Sequence, residues 1–102
     1  MFARVARYKI PEDSLDDAVD AFKEAVGELK QLDGAAGGYL LFDRDNCTAL
    51  TVTLWENRVA MEASEVHASR LRAQAVGPIG GEILAVDRCE VALDFSEVVL
   101  SE

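Results

Sequence analysis

A chain of 102 residues with 10 Lys and Arg against 19 Asp and Glu, net charge −9, has room for one domain with one modest core. Its acidity excludes the basic footprint that nucleic acid and anionic membranes require of a partner. No segment approaches the roughly 20 apolar residues of a membrane span, and the opening MFARVARYKI lacks the apolar stretch and cleavage site of a secretory signal, so the expected location is cytoplasmic.

The first stretch, Phe2–Ile10, alternates as a strand. Phe2, Arg4, Ala6, Tyr8 and Ile10 form one set, and Ala3, Val5, Arg7 and Lys9 the other. Pro11 ends it by removing a ladder donor. From Ser14 to about Leu32, apolar residues recur at three- and four-residue spacing (Leu15, Ala18, Val19, Phe22, Ala25, Val26, Leu29, Leu32), which predicts an amphipathic helix. Ser14 with Asp17 resembles a capping box, and Glu12, Asp13 and Asp16 complement the positive end of the helix. This acidic run reads as a solvated helix start, not a metal site. One His and two scattered Cys, Cys47 and Cys89, make no zinc pattern.

Asp33–Gly38 is a glycine-rich turn, Gly38–Asp43 a second strand, and Arg44–Cys47 a polar hairpin turn. The third strand, TALTVTLWEN, has two unlike faces. Leu50, Val52 and Leu54 point one way; Ala49, Thr51, Thr53 and the sole tryptophan, Trp55, point the other. Asn57 is a good N-cap for a second helix reaching about Ala75, with Met61, Ser64, Ala68, Leu71 and Ala75 as its buried stripe. After the loop VGPIGG, a last strand begins within Glu82–Asp87 and runs through Phe95. Residues 1–95 read as the domain. Residues 96–102 read as a tail that either frays or pairs with a neighbouring chain.

The order β-α-β-β-α-β predicts an α+β, ferredoxin-like fold: a four-stranded antiparallel sheet with two helices on one face. By polarity, Leu50, Val52 and Leu54 belong under the helices. Arg4, Ala6, Tyr8, Thr51, Thr53 and Trp55 then line the opposite face. Such a patch is too apolar to be left in water. A second copy is the simplest cover, giving a homodimer with facing sheets and a ligand cavity between them.

The stretches GGYLLFDRDN and WENRVAMEAS resemble the antibiotic biosynthesis monooxygenase domain of the dimeric α/β-barrel superfamily. The resemblance spans about residues 2–94. It implies a dimeric α/β barrel that oxidises a small aromatic or polycyclic phenol to a quinone with no metal, flavin or other cofactor. It also implies an Asn and a Trp four apart on the third strand. Trp55 fits the Trp, and Thr51 stands where the Asn falls, which makes these the candidate catalytic pair. Met61 lies where a tyrosine is expected, and Arg72 lies near the place of an arginine. Arg4, Tyr8, Thr53, His67 and Arg72 are the candidate substrate-binding residues, with Arg4 supplying positive charge from the first strand. Each has a plainer reading: interface packing for Trp55, strand propensity for Thr51 and Thr53, an intersubunit ion pair or cation–π contact for Arg4 beside Tyr8, and a structural helix histidine for His67. The haem-degrading branch of the superfamily uses an Asn, a Trp and a His at places held here by Ala6, Ser64 and Ala73–Gln74, so haem chemistry is disfavoured. A non-catalytic dimeric barrel that binds a hydrophobic metabolite is the remaining class.

Overall fold

The computed structural model describes residues 1–95. Strand β1 (Phe2–Lys9) is followed by helix α1 (Leu15–Leu29), then β2 (Ala35–Asp43) and β3 (Thr48–Trp55). Two consecutive helices, α2 (Arg58–Ala63) and α3 (Glu65–Val76), lead to β4 (Glu82–Glu90). The strands form one antiparallel sheet in the order β2-β3-β1-β4. This is the ferredoxin-like arrangement expected from the element order. No helix of the described residues is long and apolar enough to cross a membrane.

The local signals act much as the sequence implies, with instructive differences. Asn57 adopts an extended backbone and its side chain accepts from the Ala60 N–H, capping α2. The Ser14–Asp17 capping box does not form: Ser14 closes a short 3₁₀ turn and makes no capping side-chain bond. The stripe Met61, Ser64, Ala68, Leu71 and Ala75 is buried as expected, but the expected single helix is broken at Ser64 into α2 and α3. β4 stops at Glu90 and not at Phe95, because β1 begins at Phe2 and offers no further partner. The Val91 N–H makes one last bond to the Met1 carbonyl. Residues 96–102, expected as a tail able to pair with a second chain, lie outside the described residues.

One expectation is reversed. The sheet face under the helices carries Arg4, Ala6 and Tyr8 from β1 and Ala49, Thr51, Thr53 and Trp55 from β3; it is not the Leu50, Val52 and Leu54 face. The register pairs Arg4 with Thr53, Ala6 with Thr51 and Tyr8 with Ala49. Tyr8, Ala6 and Ala49 share the core with Leu15, Ala18 and Phe22 of α1 and with Ala75 and Val76 of α3. The Tyr8 and Phe22 ring centroids are 5.3 Å apart, and Trp55 is 0 % exposed. The physical reason is that the Tyr8 hydroxyl and the Trp55 indole N–H find partners in Thr51 and Thr53 on the same face. The large rings can therefore be buried without leaving unpaired groups. The small Ala6 and Ala49 also let α1 approach closely.

The other face then has no cover from the described residues. Val5, Val52 and Tyr39 lie side by side across it, next to Arg7, Leu50 and Leu41. Tyr39 is 65 % exposed and Leu41 47 %.

Because α2 is only one and a half turns of helix, its start depends on the cap. Asn57→Ala is expected to destabilise the fold by about 1 kcal/mol. Asn57→Asp should recover most of that loss, as read from urea unfolding midpoints. Equal midpoints for the alanine variant and the native chain would contradict this role.

Candidate functional site

Between the sheet and the two longer helices lies a pocket of about 320 Å³, at the small end of ligand sites. Its floor is the reversed face: Arg4, Tyr8, Thr51, Thr53 and Trp55. Phe22, Ala25 and Leu29 of α1 and Ala68, Leu71 and Arg72 of α3 form its walls. At the rim, β2 bends where its register against β3 shifts between Ala35 and Gly37. Gly37 has φ +124 there, a backbone conformation other residues rarely adopt.

Polar groups run along the floor in hydrogen-bonded pairs. The Tyr8 and Thr51 hydroxyls are 2.8 Å apart. Trp55 Nε1 donates to Thr53 Oγ1 at 3.0 Å. Burial pushes the Tyr8 phenol above its ordinary pKa, while the Thr51 hydrogen bond and the nearby Arg72 and Arg4 charges draw it partly back. Tyr8 is therefore a neutral hydroxyl near pH 7.

Arg4 is the centre of the second polar group. It is 3 % exposed, and its carbon Cζ sits 5.5 Å from the Trp55 ring centroid. Nη2 donates to the Met61 carbonyl (2.7 Å), to Ser64 Oγ (2.9 Å) and to Glu65 Oε2 (3.1 Å). Ser64 Oγ itself donates to the Met61 carbonyl at 2.7 Å. The guanidinium thus holds the end of α2 and the start of α3 against β1, at the point where the helix breaks. Desolvation lowers the Arg4 pKa, and Glu65 opposes the shift. Arg88 on β4 grips the same carboxylate from the other side, with Nε 3.0 Å from Oε2 and Nη2 bonded to Oε1. Arg4 Nε and Nη1 are buried with no partner among the described residues.

The candidates Arg4, Tyr8, Thr51, Thr53, Trp55 and Arg72 all line this one pocket. They line it inside a single chain, however, and not between two facing sheets. His67 is not part of it: it is exposed on α3. Ala68, Leu71 and Ala75 of α3 face inward, and a residue one step from Ala68 turns about 100° away. Met61, where a tyrosine was implied, is buried and meets Arg4 through its carbonyl. Sequence reasoning missed Glu65, Arg88 and Lys30. Lys30 lines the pocket as well. The one available signal for the Ser64 junction was a serine within an otherwise apolar stripe.

Comparison with known proteins gives concordant findings. A family model described as antibiotic biosynthesis monooxygenase matches residues 1–76. The chain is 29 % identical over 92 residues to the uncharacterised protein Rv2558 of Mycobacterium tuberculosis (strain ATCC 25618 / H37Rv), a match covering 88 % of this chain and 39 % of that protein. It thus spans about two-fifths of the length of the curated relatives it matches. Among solved structures, SnoaB, a cofactor-independent oxygenase from Streptomyces nogalater, superposes with TM-score 0.67 at 15 % identity, covering 94 % of this chain and 97 % of that one. The haem-degrader MhuD of Mycobacterium tuberculosis superposes with TM-score 0.68 at 17 % identity, covering 92 % and 98 %. At such identities the likeness is one of fold.

Hydrogen bonding from Arg88, with Arg4 adding charge, holds the Glu65 carboxyl below the usual range. A carboxyl depressed in this way adds stability above its unfolded pKa of about 4.3, and that stability is lost as pH falls through the lower folded value. Glu65→Gln is therefore expected to be less stable than the native chain near pH 7, with the gap closing as the pH falls below the ordinary carboxylate range. Urea midpoints across that range measure it; a gap independent of pH would contradict the linkage.

Proposed function

The chain belongs to the antibiotic biosynthesis monooxygenase family, and from that premise we propose that it oxidises a small aromatic or polycyclic phenol with dioxygen, without metal or flavin. The reaction is assigned to the pocket between sheet and helices. The observation that carries this reading is the floor: a row of hydroxyls, an indole and a buried cation beneath largely apolar walls.

In this reading the ring system of the substrate packs against Phe22, Leu29 and Leu71. Arg4 and Arg72 stabilise the negative charge of the ionised phenol. That anion passes an electron to dioxygen, and the two radicals combine at the activated ring carbon. Loss of water from the resulting hydroperoxide converts a CH₂ to a carbonyl, so one O₂ yields one carbonyl oxygen and one water. In the Tyr8–Thr51 pair one hydroxyl hydrogen is used between the partners, which leaves the other free to bond a substrate oxygen. Trp55 acts as the edge of the site, holding Arg4 against its face. The apolar walls keep bulk water from the reactive intermediate.

A second reading is favoured by one feature. Trp55 Nε1 is already bonded to Thr53, and Tyr8 to Thr51, as suits a barrel that binds an aromatic metabolite without turning it over. Cytoplasmic residence suits either reading, given two free thiols, Cys47 and Cys89.

We also propose a homodimer formed through the uncovered sheet face, which joins Val5, Leu41, Leu50 and Val52 into one apolar surface. The sheets then face one another, and each chain keeps its own pocket on the far side.

The tests are direct. An anthrone-type phenol in air should consume oxygen and give a quinone absorbance, and Thr51→Val together with Trp55→Phe should lower the rate at least about tenfold. Binding without oxygen uptake would favour the second reading. For the dimer, Leu50→Lys, which lies outside the pocket lining, should halve the mass seen by sedimentation equilibrium at micromolar concentration. A native chain already sedimenting at the mass of one copy would contradict the dimer.

A further inference from the structure

The pocket has a charge opposite to that of the molecule. Arg4, Lys30 and Arg72 line it, and no Asp or Glu does among the described residues, in a chain of net charge −9. Among the described residues it also lacks a carboxylate or imidazole to accept a proton. The carboxylate beneath Arg4 belongs to Glu65, which is engaged by both Arg4 and Arg88. His67 faces away, and burial keeps Tyr8 protonated.

Arg4 supplies a second, independent observation. All of its hydrogen bonds run through Nη2. Nε and Nη1 are buried and bond to nothing among the described residues, although unpaired donors on a buried cation are costly. The guanidinium cannot swing out to water to satisfy them, since Nη2 is fixed to Met61 and Ser64 and its face lies over Trp55. Such an arrangement suits a group that arrives with its own negative charge.

We infer that the pocket takes its ligand as a preformed anion, an aromatic molecule carrying an ionised oxygen (phenolate or carboxylate) drawn by the positive charges of Arg4, Lys30 and Arg72 that line it. This rests on the proposed use of the pocket for an aromatic substrate and specifies its charge state. The proton is lost in solution, before entry. Arg4 is then a binding residue from β1 that selects the ionised form.

A measurement on the native chain tests this without any substitution. 2-Naphthol is titrated by absorbance, free and in the presence of excess protein. An apolar pocket alone raises the pKa of a phenol, whereas cations lower it. The bound naphthol is expected to ionise at least about one pH unit lower than free; an unchanged or raised value would overturn the inference. In a second arm, quenching of the fluorescence of Trp55, the sole tryptophan, reports binding of 2-naphthoate and its neutral amide at pH 7. The carboxylate should bind at least about tenfold more tightly, and Arg4→Met should remove most of that preference while Arg70→Met, exposed on α3 and paired with Glu28 outside the pocket, keeps it. Equal affinity of the two probes for the native chain would overturn the anion inference alone and leave an aromatic pocket standing. Failure of every probe to bind would overturn both. Competition between naphtholate at high pH and naphthoate identifies which ionised oxygen the site prefers.

Discussion

A guanidinium beneath helices cannot shed its charge, so the surrounding backbone must be arranged to receive it. Arg4 imposes that constraint here. Its Nη2 takes the carbonyl of Met61, the hydroxyl of Ser64 and the carboxylate of Glu65, and α2 gives way to α3 at that residue. Hydrogen bonds to a buried charge contribute about 1.5–3 kcal/mol each. Glu65 is partly exposed, so its share is the smallest of the three. The same carboxylate reaches Arg88 on β4, which joins β1, β4 and the helix junction in one network. The pocket opens beside that junction, between the sheet and helices α1 and α3.

The choice of sheet face follows from the same logic. A buried Tyr or Trp removes about 150–250 Å² from water, an upper bound of about 4–6 kcal/mol apiece at ~25 cal/mol per Å². That gain is kept only when the hydroxyl or indole N–H finds a partner. Thr51 and Thr53 provide those partners on the same strand face. The Leu50, Val52 and Leu54 face keeps its polar tips, on Arg7 and Tyr39, exposed, and its apolar part can be buried by any apolar surface, an identical copy in the proposed dimer included. Internal pairing thus lets the more polar face go under the helices and leaves the greasier one for an intermolecular role.

The fold was legible because its signals are local. The two-residue alternation of β1 and β3, the three- and four-residue spacing of the helix stripes and the Asn57 cap each act within a few residues of themselves. Which face of a strand turns inward is different. Alternation divides Arg4, Ala6 and Tyr8 from Val5 and Arg7 but does not orient them, and summed polarity pointed the wrong way because the hydrogen-bond partners lie on other strands and helices. Arg4, Tyr8, Thr51, Thr53 and Trp55 nonetheless share one face as the alternation implied, since facing register keeps such a set together whichever way the sheet is turned. His67, one step from the buried Ala68, is turned out to solvent; the helix break at Ser64, bonded to a residue 60 positions away, has no Gly or Pro in the sequence to mark it.

Family membership and the enclosed polar floor together frame a site in which one chain supplies every proposed contact, and in which the proposed second copy would cover the back of the sheet. The contact between the Tyr8 and Phe22 rings, 5.3 Å between centroids, is the simplest sign that the polar-edged face lies beneath α1. Nuclear Overhauser spectra of the native chain in solution measure it directly. Strong cross-peaks between the Tyr8 and Phe22 ring protons are predicted. Their absence, with Tyr8 instead showing intermolecular cross-peaks to a second copy, would mean that the sheet is turned the other way.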